Sequence, residues 1–163
     1  MGGGQELGLR SGTENVAGVI GFAEAVRQSV KKRHSEVKRL ADLRDKIEKK
    51  IVHEHPDAVF SGARKHRLAN FCHVSFPNLD AERLVFLLEM QGVYVATGSA
   101  CAANKGTRSA VLEAIGLAPE VADGSIRITL GRHSVESDTL QAIDLLCDAV
   151  AAEKQRLGAK AKR

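Results

Sequence analysis

The stretch Ser125-Ile126-Arg127-Ile128-Thr129-Leu130 decides the architecture of this chain. Its apolar and polar residues alternate with a period of two, the pattern of a strand with one face on a core. Ile126 and Ile128 take the inner face, so Arg127 points to the opposite side. Upstream, Phe71, Val74 and Phe76 form a β-prone segment closed by Pro77-Asn78, and Val93-Tyr94-Val95-Ala96 forms another. Between them Asp80 is placed as the N-cap of a helix carrying Leu84, Val85, Leu87 and Leu88, with Gly92 as its stop. Ser109 to Ile115 reads as a helix ended by Gly116. A last helix is predicted from Glu136 towards Leu157, turning Leu140, Ile143, Leu146, Cys147 and Val150 inward.

Towards the N-terminus, Gly2-Gly3-Gly4-Gln5-Glu6 is loop-like, and a helix is predicted to begin between Thr13 and Val16, with Val16, Val19, Ile20 and Ala23 on one stripe. A second, amphipathic helix covers Lys31 to Lys50, with Val37, Leu40, Leu43, Ile47 and Ile51 recurring three or four apart. Pro56 and Ser61-Gly62 end it. The order is then helix, helix, strand, helix, strand, helix, strand, helix. That order predicts an α+β fold in which helices pack on a small three-stranded sheet.

Composition narrows the function. With 163 residues, 44% of them hydrophobic, the chain is long enough for one domain with its own core. The formal net charge is +4, yet tryptophan is absent, Tyr94 is the only tyrosine, and no aromatic residues alternate with basic ones. The basic excess therefore reads as a solubilising surface rather than a nucleic-acid site. Cys72, Cys101 and Cys147 are too far apart for a metal knuckle or a CxxC pair, and the histidines form no HExxH pattern, so no metal site is expected. Reduced thiols, no signal-peptide pattern near Met1 and no membrane-length apolar run fit a cytoplasmic protein.

One cysteine stands apart. Thr97-Gly98-Ser99-Ala100-Cys101-Ala102-Ala103 surrounds a thiol with small residues, between a strand-like and a helix-like run. Cys101 reads either as a nucleophile presented on a loop or as a cysteine packed like a small hydrophobe. Lys105 and Arg108 nearby are solvated loop charges or aids to thiolate formation. Arg127 is either a salt-bridged edge arginine or a fork for a carboxylate. Thr13, at a helix start, is either an N-cap or a hydroxyl for a phosphate oxygen. Asn70 reads as a turn residue leading into the strand, His73 as a surface or satisfied strand histidine, Arg132 as a structural or surface charge, and Cys72 and Cys147 as packing thiols.

Gly2 to Glu6, Arg10-Ser11-Gly12-Thr13, Asn70 to Phe76, Thr97 to Cys101 and Ser125-Ile126-Arg127 together resemble the C-terminal portion of class V aminotransferase-like cysteine desulfurases. The resemblance runs from end to end of the chain. It implies the small C-terminal domain of a fold-type I enzyme, with residues 1–15 leading in from a cofactor domain, 16–52 as connecting helices and 53–157 as the α/β core. It also implies a homodimer that uses pyridoxal 5'-phosphate to convert L-cysteine into L-alanine, leaving a persulfide on Cys101 for an iron–sulfur scaffold or a thiolated acceptor. In that scheme Arg127 grips the substrate carboxylate, and Thr13 reaches the cofactor phosphate across the dimer. Ala69, His73 and Leu7 depart from the usual proline, asparagine and arginine of the family. No lysine stands in a Ser-x-His-Lys context, and Lys65-His66 has the reverse order, so the chain alone is not expected to bind the cofactor covalently. A non-catalytic sulfur carrier or interaction module is the alternative.

Overall fold

The computed structural model describes residues 3–97 and 109–160. They fall into two compact units, one ending at Glu36 and the other beginning at Val37. In the first unit, Gln5–Gly8 makes a 3-10 turn in which Glu6 and Leu7 hold left-handed backbone angles, φ 54° and 57°. Helix α1 spans Val16–Glu54, 39 residues without a break. The two helices expected from the sequence are thus one. Its start is capped by Asn15, whose side-chain carbonyl accepts from the Gly18 amide at 3.0 Å. In the first unit Val16, Val19, Ile20, Phe22, Val26 and Val30 are exposed on this helix.

The second unit holds the sheet. Strands β1 (Val59–Phe60), β2 (Phe71–Ser75), β3 (Ala96–Thr97) and β4 (Ser125–Thr129) pair antiparallel in the order β1-β2-β4-β3. Among the described residues the sheet has four strands rather than three, because β1 lies in the segment read as a break, and the described part of β3 lies at the end of the extended run. The remaining helices are α2 (Ala81–Glu89), α3 (Ala110–Ala114), α4 (Pro119–Ala122) and α5 (Glu136–Lys160). The short α4 was not foreseen. Cys72, Val74, Ile126 and Ile128 point to the helix-covered face, where they meet Leu43, Ile47 and Ile51 of α1, Leu84 and Leu88 of α2, and Leu146 and Val150 of α5 in one apolar cluster.

Polar ties fix the helices around this core. Glu153 of α5 accepts from Arg83 of α2 and from Arg156, each at 2.7 Å. Burial would raise its pKa, but the two guanidinium hydrogen bonds outweigh that and hold it below the ordinary value. His55 meets the Cys147 carbonyl through Nε2 at 3.0 Å and lies edge-on to Phe76. Asp80 caps α2 as expected, accepting from the Glu82 and Arg83 amides at 2.9 and 3.3 Å. Asp80→Ala should lower stability by about 1 kcal/mol. A urea titration of the two proteins with equal slopes and a shifted midpoint will show it.

Candidate functional site

The sheet face turned away from the helices carries the chemistry. Along β2 and β4 the register pairs Phe71 with Thr129, His73 with Arg127, and Ser75 with Ser125. Because successive strand residues alternate sides, these six share the face opposite Cys72, Val74, Ile126 and Ile128. Ser75 and Ser125 are buried and bonded to each other at 2.6 Å, which closes one end of the row. Asn70 closes the other: its side-chain amide donates to the Leu130 carbonyl at 3.1 Å, and its own carbonyl accepts from the Leu130 amide at 2.9 Å. Asn70 is thus the clamp at the start of β2 that its sequence position suggests.

Arg127 lies between these clamps. It is exposed, and it has no acidic partner among the described residues. β4 runs between β2 and β3, so the picture of a salt-bridged arginine on a sheet edge does not hold. Across β4 on the other side, Arg127 pairs with Ala96, whose methyl group leaves room beside the guanidinium. A fixed backbone and an exposed fork without an acidic partner among the described residues suit a carboxylate.

His73 beside it is not the satisfied surface residue expected from the sequence. Both ring nitrogens are buried and lack a hydrogen-bond partner among the described residues. Burial first, and then the neighbouring Arg127 charge, hold its pKa below the ordinary imidazole value, so the ring is neutral at neutral pH. No pattern in the sequence marks a histidine as unpartnered, since that depends on what the fold places around it.

Cys101, Lys105 and Arg108 lie outside the described residues. What is described is the approach: β3 ends at Thr97, one residue after the register partner of Arg127, and Cys101 follows Thr97 by four residues. A four-residue tether spans about 14 Å at full extension. The other two thiols are buried in the core, as the sequence suggests. Burial pushes Cys72 up to about 12 and Cys147 up to about 11. Neither is a nucleophile at neutral pH.

Thr13 belongs to the first unit. Its carbonyl accepts from Arg10 at 3.1 Å, its side chain is exposed, and Asn15 rather than Thr13 caps α1. Among the lysines from Lys31 to Lys65 and at Lys154, all are exposed or half-exposed, and the two half-exposed ones, Lys50 and Lys154, are ion-paired with Asp144 and Asp57. Arg132 donates to His133 on the surface at 3.0 Å. Among the described residues no group of three acidic, histidine or cysteine side chains is placed to hold a metal ion, and no helix is long and apolar enough to cross a membrane.

Comparison with known proteins places the fold in a family. The aminotransferase class-V family matches residues 3–141. Cysteine desulfurase IscS of Dictyoglomus turgidum is 39% identical over 145 residues, which are 89% of this chain and 37% of that protein. Among solved structures, a NifS-like protein superposes with a TM-score of 0.78 at 33% identity, covering 92% of this chain and 38% of the other. A protein described as SspA in complex with cysteine does so with a TM-score of 0.50 at 29% identity, over 82% of this chain and 35% of its own. The chain thus spans well under half the length of these relatives. That family depends on pyridoxal phosphate, but the described residues hold no enclosed lysine, so by themselves they do not form a complete site for it. The fold and the match across most of its length identify this chain as a member of the aminotransferase class-V family, in the part that carries the small antiparallel sheet.

Proposed function

We propose that this chain is the sulfur-accepting, carboxylate-binding C-terminal part of a cysteine desulfurase. The observation that carries the reading is Arg127, exposed on a central strand without an acidic partner among the described residues and beside Ala96, from which the chain runs on to Cys101. Arg127 binds the carboxylate of L-cysteine and so orients the substrate thiol. The Cys101 thiolate attacks that sulfur. A bond forms between Sγ of Cys101 and the substrate sulfur as the substrate Cβ–S bond breaks, and Cβ takes a proton, giving L-alanine and a persulfide on Cys101. Pyridoxal phosphate, held by the complementary cofactor-bearing part, supplies the electron sink that makes the Cβ–S bond labile. Thr13 adds a hydroxyl for the cofactor phosphate of a second subunit, which makes the working enzyme a cytoplasmic homodimer. A relative with bound cysteine among the solved structures supports the substrate class.

The persulfide then passes to an acceptor such as an iron–sulfur scaffold or a thiolation partner. The absence of an enclosed lysine among the described residues favours one further reading, a sulfur carrier that is loaded by another protein and catalyses nothing itself. One experiment separates the two. Mixed with a chain that carries the cofactor lysine, this chain should restore formation of L-alanine from L-cysteine, with one persulfide per alanine in a single turnover. If mixing yields no alanine, yet the purified chain gains one sulfur from an external persulfide donor, the carrier reading replaces the enzymatic one.

A further inference from the structure

His73 and Arg127 are register partners on adjacent strands, and their side chains lie on the same face of the sheet. Directly opposed residues of an antiparallel pair are close enough for their side chains to touch. As a contribution to folding, the pairing makes little sense. A guanidinium beside an imidazole offers no attraction between charges, and Arg127 disfavours the protonated ring. Burial of both ring nitrogens without partners is costly, and the buried polar pair of this sheet face avoids that cost, Ser75 and Ser125 bonding each other. The one unsatisfied side chain of the row stands next to the one free cation of the row among the described residues.

A neutral imidazole has one N–H and one lone pair. The lone pair is a hydrogen-bond acceptor, and an arginine fork has five N–H donors, only two of which a carboxylate engages. We propose that His73 is a positioning residue for Arg127: its unprotonated ring nitrogen accepts a guanidinium N–H when Arg127 turns onto a carboxylate, and so fixes the plane of the fork. The buried nitrogen is then satisfied in the liganded state, and the orientation of the fork is set by the strand register. This inference rests on the reading of Arg127 as the grip on the L-cysteine carboxylate, and it adds the residue that aims that grip.

A double-mutant cycle on KM for L-cysteine tests it, in this chain combined with the cofactor-bearing chain. His73→Leu, which removes the acceptor, should raise KM about tenfold with kcat changed less than threefold. His73→Asn, whose amide oxygen can accept the same bond, should return KM to within about threefold of the unmodified protein. In an Arg127→Leu background, where KM is already high, His73→Leu should add less than a twofold change. The unfolding midpoint of the chain alone should stay level or rise on His73→Leu, because two unpaired buried nitrogens are gone. A residue that only supports the fold would behave otherwise: the midpoint would fall, and the two substitutions would act additively on KM. Either additive effects or failure of asparagine to rescue overturns the role of His73. If Arg127→Leu leaves KM unmoved, the carboxylate reading itself fails, and the positioning role falls with it.

Discussion

Cys101→Ser stops alanine formation in the reconstituted system, by at least about a thousandfold, and the chain keeps its circular dichroism spectrum. A serine hydroxyl is not ionised at neutral pH and forms no stable bond to sulfur of the persulfide kind, so the substrate sulfur has nowhere to go. The other thiols cannot take over. With pKa values near 12 and 11, Cys72 and Cys147 are ionised at pH 7 to only about one part in 10⁵ and one part in 10⁴, and both are buried in the apolar cluster. Intact-mass measurement after a single turnover therefore has a sharp expected outcome: one added sulfur on the unmodified chain, none on Cys101→Ser. Retention of the added sulfur in the variant would place the acceptor at another residue.

Gly124→Ala is the substitution expected to damage the fold most. A Cβ at this position would stand 2.0 Å from the Phe76 carbonyl oxygen, 2.9 Å from its carbon and 3.2 Å from the Leu79 carbonyl oxygen. All three are backbone atoms, so no side chain can swing aside to make room. The Phe76 amide also donates to the Gly124 carbonyl at 2.9 Å, which ties the two segments together where β2 ends and β4 begins. Any shift there breaks that bond and pulls on the Ser75 to Ser125 contact and on fully buried Phe76. A loss of more than about 3 kcal/mol is expected, a large fraction of the stability of a domain this size. Gly131→Ala is the control, since nothing lies within 4 Å of its Cβ position, and it should change stability by less than about 0.5 kcal/mol. Parallel thermal melts of the two variants read the contrast directly.

Much of this architecture was legible in the sequence wherever one face of an element is buried. The period of two at Ile126 to Leu130 gave β4 and the outward direction of Arg127, because a slip of one residue would have turned two isoleucines away from the core. Asp80 and Gly92 bounded α2 for reasons of capping and backbone angle, the latter at φ +76°. The same reading failed where the deciding force is tertiary. Val59–Phe60 is too short to show any period and becomes a strand only because β2 offers it a partner. The change from an apolar to a charged surface near Lys31 suggested two helices, yet no glycine or proline lies between Val26 and Glu54 to end the first. In the candidate site, the outward direction of Arg127 followed from its place in the strand, while its reading as a carboxylate fork came from the family resemblance. The state of His73 did not follow, because an unpartnered nitrogen is a property of the assembled sheet.

The outer strand β1 is two residues long, with irregular chain on both sides of it. A border that short exposes only a few unpaired amides and carbonyls, too few to template the addition of a foreign strand. Fibril-like stacking of copies through the β1 edge is thereby disfavoured, even at the concentrations of a crowded cell.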